Sequence, residues 1–180
     1  SLAMLAWRVE VLVRPSEPDP MGKAALRALE RQGLAATSVR SRRGYLLGEA
    51  LTDAQVRQFA QKVLTDPVLE IFEVHAPGAP APHPVAGTHR VSVLLRPGVT
   101  DPVAHSVQKA LGDMGLPVAD AATYRAFDVR GADDAAAVLT ACKRAIANAV
   151  VHDVLANELP RTLPGKGAGA DLATHPIPLA

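Results

Sequence analysis

From Trp7 the chain alternates polar and apolar positions, "WRVEVLVR", and is rich in valine. This pattern predicts a strand from Trp7 to about Arg14. Asp19 and Pro20 then open a helix. An aspartate carboxylate accepts the orphan amides of a first turn, and proline suits a position that needs no N–H. Ala24, Ala25, Ala28 and Leu29 give that helix an apolar face, and Gly33 stops it. The next stretch, "AATSVRSRRGYLLGEAL", predicts two strands, about 36–41 and 44–50, joined by a tight turn near Arg42–Gly44. Thr52–Gln55 has the form of a capping box. Val56, Phe59, Ala60, Val63 and Leu64 follow at helical spacing, until Asp66-Pro67 breaks the pattern. "VLEIFEV" alternates again and predicts a last strand.

The same succession recurs 82 residues later, with Trp7 falling on His89 and no gap as far as Glu73 on Leu155. Arg8/Arg90, Val11/Val93, Arg14/Arg96, Pro15/Pro97, Asp19/Asp101, Pro20/Pro102, Leu29/Leu111, Gly33/Gly115 and Arg43/Arg125 are identical pairs. The alanine matches carry little in so alanine-rich a chain; the Arg-Pro, Asp-Pro and Gly-Leu matches at one register indicate a duplication. The expected fold is α+β: two ferredoxin-like β-α-β-β-α-β units in tandem, each an antiparallel sheet with two helices on one face, forming a pseudo-twofold pair. The second sheet face needs cover, which the units or another chain can supply. The expected divisions are unit one at 7–74, a Pro/Gly/Ala linker at 75–88, unit two at 89–157 and an irregular tail at 158–180.

Composition narrows the function. Apolar residues make up 48% of the 180, enough for a sizeable core, while aromatics are only 3%, so Leu, Val and Ala must build it. A formal net charge of +1 implies neither a nucleic-acid nor an acidic membrane partner. No apolar run approaches a membrane span, and the first ten residues do not form a signal peptide. Met4 is read as the native start. The single cysteine, Cys142, excludes an internal disulfide and suits a reducing compartment. A cytoplasmic protein is expected.

Catalytic signals are sparse. The six histidines show no paired metal spacing, and Cys142 lies among apolar helix positions with no activating neighbour in the sequence. "PGKGAG" at 164–169 lacks the spacing and the hydroxyl of a phosphate loop and reads as flexible tail. "RSRRG", Arg40–Gly44, is a basic turn without aromatic interleaving, which suits a solvated hairpin or a partner contact better than nucleic acid. Asp19, Pro20, Asp101 and Pro102 are explained as helix starts. Arg14 and Arg96, at strand ends, could hold a partner's carboxylate or a phosphate in a two-pronged grip. With Arg42, Arg43 and Arg125 they form the candidate partner-binding set. No catalytic residue, metal or cofactor is expected.

The element order, with "RPGVTDP" between first strand and first helix, resembles the PurS family. Members of that family lead from a basic strand end through Gly-Val-x-Asp-Pro into a helix. Unit two carries this as Arg96, Gly98, Val99, Asp101 and Pro102, followed by Val107, Ala110 and Leu111. Unit one carries Arg14, Asp19, Pro20, Gly22, Ala25, Ala28 and Leu29; "VLTDPVLE" is similar to the family's approach to its last strand, and "AIANAVVH" more loosely. Ser16 and Glu17 depart from the Gly-Val of the motif, and Ala104 from its final glycine. The family's usual single unit is here a fused double, so one chain could replace a dimer. The resemblance implies a non-catalytic accessory subunit of phosphoribosylformylglycinamidine synthase, an ATP- and glutamine-dependent ligase of purine biosynthesis. In that role it bridges the glutaminase subunit PurQ and the synthetase subunit PurL and supports ammonia transfer, with self-association open. Two other readings stand beside it: an ACT-type ligand-sensing module, analogous in fold alone, and the excised N-terminal PurS-like region of a large single-chain synthase.

Overall fold

The computed structural model describes residues 4–163. Strand β1 (Met4–Leu5) is a short lead-in. Unit one then runs β2 (Trp7–Val13), α1 (Pro20–Arg31), β3 (Ser38–Leu47), α2 (Asp53–Phe59) with a π-helical turn over Ala60–Leu64, and β4 (Glu70–His75). Unit two repeats it as β5 (Thr88–Leu95), α3 (Pro102–Asp113), β6 (Ala121–Arg130), α4 (Ala135–Ala145) and β7 (His152–Ala156), before β8 (Thr162–Leu163). The chain is α+β, and its two tandem units are consistent with ferredoxin-like units in a pseudo-twofold pair.

One expectation is corrected. The two middle strands predicted at 36–41 and 44–50 are a single strand, and Arg42–Gly44 lies inside it rather than at a turn. Polar residues and a glycine imitate a turn, but here each has a distant partner. Arg42 reaches Glu10 and Asp128 on one face, and Arg43 reaches Glu70 on the other. Gly44 lies opposite Tyr124, whose ring occupies the space a Cβ would need.

Six strands form one antiparallel sheet in the order β4-β2-β3-β6-β5-β7. The central pair β3·β6 joins the units in unbroken register from Ser38↔Arg130 to Leu47↔Ala121. Arg43 faces Arg125 in that ladder. These two positions are also equivalents in the duplication, so the pseudo-dyad passes between them.

The helices cover one face, and they interlock. One buried cluster joins Val9, Leu47, Val56 and Phe59 of unit one to Val107 and Leu111 of α3. The other joins Val91, Val138 and Cys142 of unit two to Ala25 and Leu29 of α1. Each core is therefore built by both units. Fully burying a leucine or phenylalanine contributes about 2 kcal/mol, so Leu29 and Leu111 commit each helix to the opposite unit's core.

The second sheet face is covered by the chain itself. Leu159 and Leu163 pack on Leu46, Tyr124 and Ala126, with Ala81 beside them. Ser92 Oγ donates to the Glu158 carbonyl at 2.6 Å, and Arg90 Nη1 to the Pro82 carbonyl at 3.0 Å. The segments that follow each unit thus close the sheet from behind.

Candidate functional site

Two aspartates fix the strand-to-helix loops. Asp19 Oδ1 accepts the Gly22 amide at 2.9 Å, capping α1, and Asp19 also accepts the Ser41 amide and hydroxyl at 2.7 Å each. Asp101 caps α3 through the Ala104 amide at 2.9 Å and takes the Thr123 amide and hydroxyl at 2.9 Å. Each carboxylate thereby ties a helix start to the strand of its own unit that lies at the centre of the sheet. A Cβ on Gly22 would come within 2.4 Å of the Val39 carbonyl, whereas unit two holds Ala104 at the equivalent position.

Arg14 and Arg96 close equivalent turns. Arg14 Nε and Nη2 donate to the carbonyls of Val68 and Pro67 at 3.1 and 3.0 Å. Arg96 Nε donates to the His152 carbonyl at 3.2 Å and lies 3.4 Å from Asp153 Oδ1. Both side chains keep an exposed flank.

At the pseudo-dyad the two units part company. Arg43 makes a two-pronged ion pair with Glu70, one arm at 3.0 Å, and also donates to the Leu64 carbonyl at 3.0 Å. That bonding raises Arg43 further, and the same bond to Arg43 holds the Glu70 carboxyl below its ordinary range. Glu70 also accepts the Asp66 amide at 2.9 Å. In unit two the equivalent of Glu70 is His152. Its Nδ1 takes the matching bond, from the Asn148 amide at 2.9 Å, which leaves the ring proton on Nε2. Arg125 has no carboxylate partner among the described residues and lies 5.7 Å from the Phe127 ring centroid. Burial lowers Arg125, and burial together with Arg125 lowers His152.

The opposite face carries a second network. Arg42 donates to Glu10 at 2.8 Å and lies 3.3 Å from Asp128 and 3.4 Å from Glu73. Burial alone would lower Arg42, but these carboxylates raise it. Tyr124 donates to Glu10, and burial first, then Glu10, raises the phenol well above its ordinary value. Arg90 grips Asp128 at 2.7 and 3.1 Å. Its equivalent, Arg8, faces Leu46 instead; it is only 1% exposed, and its Nε and Nη2 have no hydrogen-bond partner among the described residues. Glu10, Glu73 and His75 stand close enough to share a cation, but Arg42 Nη1 already bridges the two carboxylates.

The structure brings together Arg43 and Arg125, and puts Arg42 on the reverse face of the same strand pair. Arg14 and Arg96 lie at strand ends away from them. Sequence reasoning missed Glu10, Glu70, Tyr124, Asp128 and His152. The offset of 82 holds a signal for four of them: Glu70 falls on His152, Leu46 on Asp128 and Arg42 on Tyr124. Cys142 is buried, and burial pushes its thiol up to about 11, far from an activated nucleophile. The 164–169 glycine-rich stretch and His175 lie outside the described residues.

The fold defines a class first: a tandem α+β protein whose two units share one sheet and carry the same Asp-Pro-capped loop. The family model of PurS, described as phosphoribosylformylglycinamidine (FGAM) synthase, matches the chain twice, over residues 6–78 and 88–157. The chain belongs to the PurS family, as a tandem double, and this ties it to FGAM synthase and to purine biosynthesis. No curated protein matches the chain. Among the described residues no helix is long and apolar enough to cross a membrane.

Proposed function

We propose that this chain is a non-catalytic accessory subunit of FGAM synthase that bridges the glutaminase and synthetase subunits in the cytoplasm and supports ammonia transfer between them. The observation that carries the reading is the double family match, set on two units that complete one another's cores. One chain thus presents the paired body that single units would form by dimerising. The candidate contacts are Arg14 and Arg96, with exposed guanidinium flanks at related ends of the sheet, and the dyad arginines Arg43 and Arg125. Arg42 and Arg43 are weaker contacts, because their donors are spent, those of Arg42 on Glu10 and Asp128 and those of Arg43 on Glu70 and the Leu64 carbonyl.

Light scattering after size exclusion tests the bridge. The chain is run alone, then with the glutaminase and synthetase subunits of the same organism plus glutamine and Mg-ADP. The expected result is a ternary peak that disappears when this chain is left out. Omission is also expected to abolish glutamine-dependent synthase activity and spare ammonia-dependent activity. Full glutamine-dependent activity without the chain would overturn the proposal.

A further inference from the structure

We propose that the cavity over the pseudo-dyad on the helix face is a binding site for a small monocarboxylate, held by Arg125 and His152. The cavity is about 310 Å³, and its walls include Arg43, Arg125, His152, Met21, Val93 and Val103. Its two arginines are unevenly paired. Arg43 is neutralised by Glu70, whereas Arg125, half-buried at the equivalent position, has no ion-pair partner among the described residues. A desolvated guanidinium without a counter-charge is costly, and a carboxylate presents the oxygen pair that matches its fork.

Unit one shows what such a partner looks like. Glu70 accepts from Arg43 with both oxygens and takes the Asp66 amide as well. In unit two His152 takes the amide but supplies no negative charge. Its Nε2–H is a second donor for a bound anion. A free carboxylate beside Arg125 would therefore do what the Glu70 carboxylate does beside Arg43. With Glu70 set against Arg43 and the wall's Asp101 counted, the charges sum to zero while His152 is neutral, so the site suits an anion of no more than one charge. Asp101 also reaches the wall, but its oxygens are engaged by Ala104 and Thr123. The apolar walls suit a short aliphatic body. This inference does not depend on the bridging role.

The test is an NMR titration of the full chain with butyrate, following the His152 ring and the Arg125 Nε–H. A saturable shift below about 10 mM is expected, with His152 becoming harder to deprotonate as the anion binds. Arg125→Gln should weaken binding at least tenfold. His152→Glu should do the same while keeping the fold, because it places in unit two the acid that unit one holds and preserves the bond to Asn148. Absence of a saturable shift, persistence of binding in the folded His152→Glu variant, or binding of inorganic phosphate but not butyrate would overturn the proposal.

Discussion

Arg43 and Arg125 occupy one position in a duplicated sequence and face each other in one ladder, yet they live differently. Arg43 is closed into an ion pair; Arg125 lies against an aromatic ring with an imidazole nearby. On the reverse face the imbalance is inverted: Arg90 of unit two is paired to Asp128, and Arg8 of unit one faces Leu46. Among the described residues, each unit thus has one of these arginines compensated and one that is not. What has been kept is the backbone device, Asp19 or Asp101 tying helix start to central strand. What has drifted is the charge around the dyad. Backbone geometry tolerates little change, whereas a side-chain partner can be lost from one unit as long as the other keeps the sheet together.

The largest effect tests how far the two units can be compared as separate bodies. Residues 6–78 expressed alone should fail to give a cooperative unfolding transition, because Leu29 loses the unit-two cluster and Phe59 loses Leu111. In the full chain Leu29→Ala and Leu111→Ala should each cost about 3 kcal/mol by denaturant melt. A stable, monomeric half would show that the shared cores are dispensable.

Next in size is the arginine pair on the reverse face. Arg90→Met should destabilise by about 3 kcal/mol, since it leaves the largely buried Asp128 with Arg42 alone. Arg8→Met should be neutral or stabilising by up to about 1 kcal/mol, since it removes a buried charge with unmet donors. Equal losses would mean that Arg8 is satisfied after all.

The caps come third. Asp19→Ala should cost about 2 kcal/mol, the sum of a lost cap and the unmet Ser41 amide. Asp101→Ala should cost somewhat less, because its site is less buried. A chemical melt of both variants measures the difference.

The smallest effects are in pH. Glu70 titrates lower in the folded chain than in the unfolded one, so its contribution is present above the unfolded value, about 4.3, and is lost as pH falls through the folded value. Glu70→Gln should flatten that acid limb. His152 is also lowered on folding, so protonation opposes the fold as pH falls below about 6.5. His152→Gln should remove that dependence, and Glu70→Gln should leave it alone. Stability measured from pH 3 to 8 separates the two limbs.

The duplication, the capped loops and the alternating strands could be read from the sequence because they rest on local chemistry: Asp-Pro for a helix start, valine alternation for a strand. The predicted hairpin failed at Arg42–Gly44 for the opposite reason. Two arginines and a glycine within a strand are accommodated through Glu70, Glu10, Asp128 and Tyr124, and the arginines' carboxylates lie between 27 and 86 residues away. The dyad site was hidden similarly. His152 acquires meaning only when set against Glu70, and that comparison requires knowing that Arg43 and Arg125 meet.

The exchange of α1 and α3 between the two cores also bears on how the chain is made. Synthesis delivers unit one first, but its apolar cluster lacks Val107 and Leu111 until the helix containing them has left the ribosome. Until then Leu29 has only the unit-one part of its cluster, Ala25 and Val39, and Val56 and Phe59 likewise have a partial one. The nascent first half must therefore wait, incompletely closed, for the second. During that interval the growing chain exposes apolar surface that the finished fold buries, the condition in which nascent chains in general mispair or engage chaperones.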